Sequence, residues 1–85
     1  MAMKTLNTEL GIDVAKRWLD ISNGKQVTRI DNNRPAIKRF LKQLSTTTCI
    51  SIESTNTYHE LFVELAIADK HTVYMIDAYR LGSFL

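Results

Sequence analysis

Two acidic residues of this sequence stand where a carboxylate could do chemistry. Asp13 lies between Ile12 and Val14 in an alternating apolar run, the pattern of a β-strand, in which aspartate is disfavoured. Because a buried carboxylate without partners costs several kcal/mol, such an aspartate is expected to have a counter-charge, a hydrogen-bond network or a metal ion. Glu53 ends another apolar segment, at the carboxyl end of a predicted strand, where ligand sites of α/β sheets gather. Two such carboxylates suit Mg²⁺ or Mn²⁺.

The two carboxylates meet if the strands that carry Asp13 and Glu53 are neighbours. Two divalent ions about 4 Å apart can then stabilise the attacking and leaving oxygens of a phosphoryl transfer. Such a site normally needs more anionic ligands than two, so binding by these two alone is expected to be weak. The structural alternative is that Asp13 forms an ion pair with Lys16 or Arg17 and that Glu53 caps a helix.

The residues that follow Asp13 leave further alternatives open. Lys16 and Arg17 are candidates for contact with a nucleic-acid backbone, although a solvated turn with a surface ion pair explains them equally well. Asp20 lies on the next predicted strand. It either supports the metal ligands without contacting the ion or, as we favour, forms an ion pair with Arg17 or Lys25.

Several other residues have side chains suited to a function, and for each a structural role is favoured. Trp18 could stack on a base but is expected to pack within the protein. His59 and His71 have no partner at a metal-ligand spacing and are predicted to be surface histidines. Cys49 is predicted to be an inert apolar residue, and Asp77 is not expected to be a metal ligand although it ends the last strand.

The elements that must position these residues begin with three predicted strands, at residues 10–15, 17–22 and 25–31. Asn23 and Gly24 separate the last two strands, and this dipeptide readily adopts the positive φ angles of a tight hairpin turn. The chain is therefore predicted to open with an antiparallel meander.

The first predicted helix follows these strands. Asn33 is suited to cap it, and Pro35 fits its first turn, where a missing N–H does no harm. Its apolar stripe consists of Ile37, Phe40, Leu41 and Leu44. Its basic face, for which solvation is favoured over contact with nucleic acid, consists of Lys38, Arg39 and Lys42.

The second half of the chain alternates strands and helices. Cys49–Glu53 is predicted to be a short buried strand. Thr57 and Glu60 form a capping box that starts a second helix, whose inward residues are Leu61, Phe62, Leu65 and Ala66. Thr72–Ile76 is predicted to be the fifth strand, and residues 79–85 are predicted to be helical.

The predicted order is β-β-β-α-β-α-β-(α). A helix between consecutive strands implies parallel pairing through a right-handed crossover. We therefore predict an α/β fold with a mixed sheet and helices packed against it. This order is the one found in ribonuclease H-like domains.

Two blocks of the sequence resemble the bacterial DEDD transposases, a group that includes pilin-gene invertases. The first block resembles the opening of those enzymes. It consists of residues 10–16, Leu-Gly-Ile-Asp-Val-Ala-Lys, and residues 19–21, Leu-Asp-Ile. Residues 53–58, Glu-Ser-Thr-Asn-Thr-Tyr, resemble the E-x-T-G-x-Y segment of the family, with Asn56 where glycine is usual. The resemblance covers nearly all of the chain after Thr8.

The resemblance implies a RuvC-like nuclease fold that cleaves and transfers DNA strands with four acidic residues and Mg²⁺. Asp13 matches the first acid and Glu53 the second, whereas the last two aspartates of the family lie in a segment that this sequence does not contain. Family members also carry a further domain with a nucleophilic serine, and some are guided by an RNA. We therefore expect a flexible leader at 1–8 and, at 9–85, the truncated amino-terminal part of such a catalytic domain, inactive by itself.

The composition is that of a globular protein. Hydrophobic residues make up 45% of the sequence and charged residues 24%, while the net charge of +2 permits a DNA partner without requiring one. The sequence has no apolar run long enough for a membrane helix, no signal-peptide pattern and a single cysteine. These features predict an intracellular protein without a membrane partner, and the resemblance implies the bacterial cytoplasm.

Two other classes of protein remain as alternatives. Actin-like sugar and acetate kinases also begin with a Gly-Ile-Asp strand, but they need small hydroxyl or glycine residues after the aspartate, where this sequence continues Val-Ala-Lys-Arg-Trp. A non-catalytic dimerisation or nucleic-acid-binding module is the other alternative, because an open sheet edge favours a homodimer. Dimerisation is also compatible with the transposase hypothesis.

Overall fold

The computed structural model describes residues 9–44, 47–53 and 57–76. Its strands are Glu9–Val14 (β1), Trp18–Ser22 (β2), Val27–Asp31 (β3), Cys49–Glu53 (β4) and Thr72–Ile76 (β5), and its helices are Arg34–Lys42 (α1) and Glu60–Ala68 (α2). The predicted leader at 1–8 and the predicted helix at 79–85 lie outside the described residues.

The strands form one 5-stranded sheet in the order β3-β2-β1-β4-β5. β1 pairs antiparallel with β2, and β2 with β3, because short turns connect them. β1 pairs parallel with β4, and β4 with β5, because α1 and α2 carry the chain back to the starting end of the sheet. The predicted mixed α/β sheet is confirmed, and the predicted bounds of β4 and β5 match the observed ones.

The hairpin between β2 and β3 is longer than predicted. The side-chain Oδ1 of Asn23 accepts hydrogen bonds from the backbone N–H groups of Lys25 (2.8 Å) and Gln26 (2.9 Å). Gly24 takes the positive φ, at 95°. Because these bonds hold residues 23–26 in a loop, β3 starts at Val27, and the prediction that it starts at residue 25 was wrong.

One face of the sheet is buried and carries both helices. Alternate strand residues on this face are nearly inaccessible to solvent and form the core with α1 and α2. The sheet contributes Leu10, Ile12, Val14, Leu19, Ile21, Ile50 and Ile52, and the helices contribute Ile37, Leu41, Phe62, Leu65 and Ala66. We call the other side of the sheet the open face, since no described helix packs on it.

The helix α1 agrees with its predicted pattern. The Asn33 side chain accepts a hydrogen bond of 2.9 Å from the backbone N–H of Ala36, as expected of a helix cap, and Pro35 lies in the first turn. The apolar stripe faces the core. The basic residues Lys38, Arg39 and Lys42 are exposed on this helix side of the molecule, away from the open face.

The helix α2 begins later than predicted. Its cap is His59, whose side chain makes no capping hydrogen bond, so the capping box predicted at Thr57 and Glu60 was wrong. Residues 57–59 form a turn instead. The Asn32 side-chain amide donates a hydrogen bond of 3.0 Å to the carbonyl of Tyr58, which gives this carbonyl a partner outside the helix.

The C-terminus of α2 provides a test of backbone strain. Lys70 has the left-handed φ of 67°. The backbone N–H groups of Lys70 and His71 donate to the carbonyls of Ile67 (2.9 Å) and Ala66 (3.0 Å), a Schellman termination in which glycine usually takes the left-handed position. Lys70→Gly is expected to raise the free energy of unfolding by about 0.5–1 kcal/mol, measured by urea denaturation. Lys70→Ala keeps the strain and should leave it nearly unchanged, and no gain with glycine would contradict the assignment.

Candidate functional site

Asp13 and Glu53 lie directly opposite each other on neighbouring parallel strands. Their Cα atoms are partners in the register of β1 and β4, strands whose spacing in a sheet is about 4.8 Å. Glu53 is the last residue of β4, and Asp13 precedes the last residue of β1. Because paired residues point to the same side of a sheet, both carboxylates extend from the open face. The structure thus brings together the two acidic residues selected from the sequence, while what they bind stays a prediction.

Asp13 is exposed, so the burial that led us to expect a counter-charge or a hydrogen-bond network does not apply to it. Its neighbours Ile12 and Val14 are 2% and 7% exposed on the helix side, whereas Asp13 points the other way. The carboxylate therefore pays no large desolvation cost and needs no compensating charge. Within residues 9–44, 47–53 and 57–76, neither Asp13 nor Glu53 forms an ion pair, so the predicted alternative of pairing with Lys16 or Arg17 is not observed.

A third acidic residue joins this pair across the sheet. Asp20 of β2 is the antiparallel partner of Asp13, so Asp20, Asp13 and Glu53 form what we call the acidic row. Arg29 of β3 is the next partner in line. Its Nε donates to Asp20 Oδ1 at 2.8 Å and its Nη2 donates to Asp20 Oδ2 at 3.0 Å. The prediction that Asp20 pairs with Arg17 or Lys25 was wrong, because the strand register places Arg29 opposite it.

Arg29 favours the charged form of the Asp20 carboxylate and donates a hydrogen bond to each of its oxygens. The hydrogen bonds from the Arg29 guanidinium hold the pKa of Asp20 below its ordinary value of 3.8, and the same bonds raise the pKa of Arg29. The Arg29 Cζ also lies 4.4 Å from the centroid of the Trp18 ring. Trp18 is 39% exposed, so it packs against a surface guanidinium and not within the core. Both carboxylate oxygens of Asp20 thus already accept a hydrogen bond from Arg29, whereas Asp13 and Glu53 have no ion-pair partner among the described residues.

The ion pair between Asp20 and Arg29 predicts a pH dependence of stability. Since folding lowers the pKa of Asp20, the pair stabilises the fold above pH 3.8, and this contribution disappears as the pH falls through the lowered pKa. Asp20→Asn is expected to lower stability at neutral pH and to flatten its fall in acid, so that the two curves converge at the acid end. Chemical denaturation across the acid range measures this. Asp31→Asn is the control, and it should leave the slope near that of the unsubstituted protein.

Lys16 and Arg17 are exposed in the turn between β1 and β2, just beyond Asp13. Backbone hydrogen bonds hold this turn, from Ala15 N–H to the Trp18 carbonyl (2.9 Å) and from Asn32 N–H to the Arg17 carbonyl (2.8 Å). Both side chains therefore start from a well-defined backbone beside the acidic row. Their contact with nucleic acid remains a prediction.

A concavity of about 500 Å³ lies along the acidic row on the open face. Small residues line it in the next row of the sheet, where Gly11 is paired with Ser22 and Ser51. A Cβ atom added at Gly11 would meet no atom within 4 Å, so protein packing does not require glycine there. The small side chains leave room above the sheet beside Asp13 and Glu53, which have no ion-pair partner among the described residues.

The donor atoms of this site fit part of a divalent-ion site. Asp13 and Glu53 offer hard carboxylate oxygens, the ligands that Mg²⁺ and Mn²⁺ prefer. Among the residues that the structure describes, no three acidic, histidine or cysteine side chains come together to hold a metal ion. Two carboxylates are fewer protein ligands than a divalent-ion site usually has. A bound ion would supply Lewis acidity to a phosphate oxygen.

Asn32 connects both sides of the site and was missed in the sequence. Its Nδ2 donates to the carbonyl of Ala15, after β1, and to the carbonyl of Tyr58, before α2, both at 3.0 Å. It thus ties the turn beyond Asp13 to the turn that follows the Glu53 segment. The adjacent Asn33 showed a recognisable capping pattern, whereas nothing local distinguishes Asn32, because its partners lie far away in the sequence.

The prediction that His71 is a surface histidine was wrong. His71 is only 8% exposed, and its Nδ1 accepts a hydrogen bond of 3.0 Å from the backbone N–H of Thr48. The backbone N–H of Thr72 in turn donates to the Thr48 carbonyl at 3.0 Å, so the histidine helps to align the starts of β4 and β5. His59 is half-buried at the start of α2. Cys49, predicted to be an inert apolar residue, is exposed on the open face.

Comparisons with models of known protein families and with curated proteins gave no match. Over the described residues, none of the helices has the length and apolar character that crossing a membrane would take.

Proposed function

We propose that this chain is the amino-terminal part of a ribonuclease H-like catalytic domain that acts on DNA, of the kind found in DEDD transposases and site-specific recombinases. The strand order β3-β2-β1-β4-β5, with helices between the parallel strands, supports the fold. The Gly-Ile-Asp strand and the Glu-x-Thr segment support the family. We place the protein in the bacterial cytoplasm, where its DNA substrate would be.

The observation that carries this proposal is the pairing of Asp13 with Glu53. Both carboxylates lie at the carboxyl ends of adjacent parallel strands, on the open face, without an ion-pair partner in the described part of the chain. Two neighbouring carboxylates without a counter-charge repel each other, and a divalent cation relieves this repulsion. The concavity along the acidic row leaves room for a phosphodiester next to such a cation.

In this proposal Asp13 and Glu53 contribute two of four acidic ligands, and polypeptide outside these 85 residues contributes the others. The complete set would hold Mg²⁺ against the scissile phosphate of DNA, with Lys16 and Arg17 contacting the neighbouring backbone. A guide RNA is a further partner of some members of the family. The 85-residue chain alone should bind Mg²⁺ or Mn²⁺ weakly and should not cleave DNA.

Paramagnetic line broadening tests the metal site. Mn²⁺ is titrated into the ¹⁵N-labelled chain, and we expect the amide signals around Asp13 and Glu53 to broaden first, because paramagnetic relaxation acts over a short range. Asp13→Asn removes one charged ligand and should abolish this preference. Glu9→Gln is the matched control, because Glu9 is an exposed acid on the same face of the same strand, opposite Cys49 instead of another acid.

Two results would count against the proposal. One is broadening spread over all the acidic residues without preference for the pair. The other is an equal effect of Asp13→Asn and Glu9→Gln. Excess Mg²⁺ should reverse the broadening, which distinguishes a site for hard divalent ions from nonspecific association of Mn²⁺.

A further inference from the structure

Strand β5 forms an edge of the sheet that lacks the usual protection. It pairs with β4 on one side, and no described strand pairs with its other side. Edge strands of natural proteins usually carry lysine, proline or a bulge, which prevents pairing with another chain. The sequence of β5, Thr-Val-Tyr-Met-Ile, has no charged residue and no proline, and it pairs with β4 residue for residue without a bulge.

Apolar side chains extend from both faces of this edge. Tyr74 is 56% exposed on the open face, where it pairs with Ser51. Met75 is 48% exposed on the helix side, where it pairs with Ile52 and lies on the same side of the sheet as α2. A strand added along β5 would therefore remove apolar surface from water on both sides, and it would pair the outward backbone groups of β5, which no described strand pairs.

The other edge of the sheet differs in charge. Strand β3 carries Arg29 and Asp31, and Arg29 is held by Asp20. Charged side chains of this kind discourage the addition of a strand. The contrast singles out β5 as the edge at which pairing is favoured.

We propose that β5 pairs antiparallel with β5 of a second copy of this chain, joining the two sheets into one. A two-fold axis places a strand against itself, and an uncharged strand can pair in this way without like-charge repulsion. Pairing centred on Tyr74 brings the two tyrosine rings side by side on the open face, and aromatic pairs of this kind stabilise antiparallel strands. The second copy is thus the partner that the composition of β5 fits.

This arrangement has a consequence for the acidic row. The two-fold axis of an antiparallel edge pair is perpendicular to the sheet, so both open faces lie on the same side. With about 4.8 Å between strands and about 3.3 Å per residue, the Cα atoms of the two Glu53 residues would be about 20 Å apart. The inference depends on β5 alone and not on the proposed function, since Asp13 and Glu53 do not enter it.

Sedimentation equilibrium of the 85-residue chain tests the interface. We expect a reversible monomer–dimer equilibrium. Tyr74→Lys should weaken dimerisation by about tenfold or more. The substitution places the lysines of the two copies opposite each other and removes the aromatic pair. Val27→Lys is the matched control: Val27 is 67% exposed and lies at the opposite end of the same row of paired residues, on β3. Circular dichroism checks that both variants are folded.

A spin label on Cys49, the single cysteine of the chain, gives the geometry. Cys49 is exposed and is paired with Thr72 at the start of β5. The proposed dimer puts the two Cys49 Cα atoms about 20 Å apart, and the dipolar coupling between the labels should report a single distance that this separation and the label arms explain. The coupling should be lost in Tyr74→Lys and retained in Val27→Lys.

Three results would overturn the inference. The first is a chain that stays monomeric at the highest attainable concentration, as it would if its own residues 77–85 covered β5. The second is a dimer that Val27→Lys disrupts and Tyr74→Lys does not. The third is open-ended association in place of a closed dimer. In the proposed dimer the β5 edge of each copy is occupied by the other copy, so no β5 edge remains for a third chain.

Discussion

Phe62→Ala is expected to destabilise the fold by about 3–5 kcal/mol. Phe62 is 0% exposed, the largest of the fully buried side chains, and it lies where α2 packs on the sheet. Its removal loses the apolar burial and leaves a cavity that a small core closes only in part. A domain of this size has a total stability of about 4–13 kcal/mol, so the loss is a large fraction of the whole and should lower the midpoint of the urea transition strongly.

Phe40→Ala is the control for this prediction. Phe40 is the same residue type on the other helix, but it is only partly buried against the core. Its truncation should therefore cost about half as much and preserve the cooperative transition. Equal costs for the two substitutions would contradict the deeper burial of Phe62 in the core.

Asn32→Asp is expected to cost about 2–3 kcal/mol although it changes only one amide to a carboxylate. The Nδ2 group that donates to the carbonyls of Ala15 and Tyr58 becomes an oxygen that faces two other oxygens. Two backbone carbonyls lose their donor, and a negative charge is added in a partly buried position. Urea denaturation measures the loss, and the penalty should shrink at low pH because protonation restores one donor.

The neighbouring residue provides a matched control for Asn32→Asp. Asn33 caps α1 by accepting a hydrogen bond, and aspartate accepts equally well at this position. Asn33→Asp should therefore change the free energy of unfolding by less than about 0.5 kcal/mol. If the two substitutions had the same effect, the connecting role of Asn32 would be wrong. The Asn32 variant should also disturb the amide signals near Asp13, because its bonds hold the turn beyond β1.

Much of the fold could be predicted because its elements have strong local patterns. The alternating apolar residues around Ile12 and the apolar stripe of α1 can each be read from the residue spacing within one element. The predicted apolar residues of β1, α1 and α2 all belong to the core or pack against it. The starts of β3 and α2 could not be predicted in the same way. At β3, hydrogen bonds to the Asn23 side chain compete with the local pattern, and the turn before α2 contains the Tyr58 carbonyl, which accepts from the distant Asn32.

The candidate site could be predicted only in part for a related reason. Asp13 and Glu53 were selected from their residue type and from their positions in the strands. The partner of Asp20 and the burial of His71 depend on residues that are distant in the sequence, Arg29 and Thr48. Residue type alone assigned Asp20 to the nearest basic residues and His71 to the surface, because charged and polar side chains are usually solvated.

The sequence by itself determined the order of the elements and which side of each strand and helix is apolar, since both follow from the spacing of neighbouring residues. Only the tertiary structure decided the register that aligns Arg29, Asp20, Asp13 and Glu53 across the sheet, and which edge strand lacks charge on its free side. The physical reason is that register depends on how turns and crossover helices pack the alternating apolar faces together, and a slip of one residue would have turned the acidic row into the core.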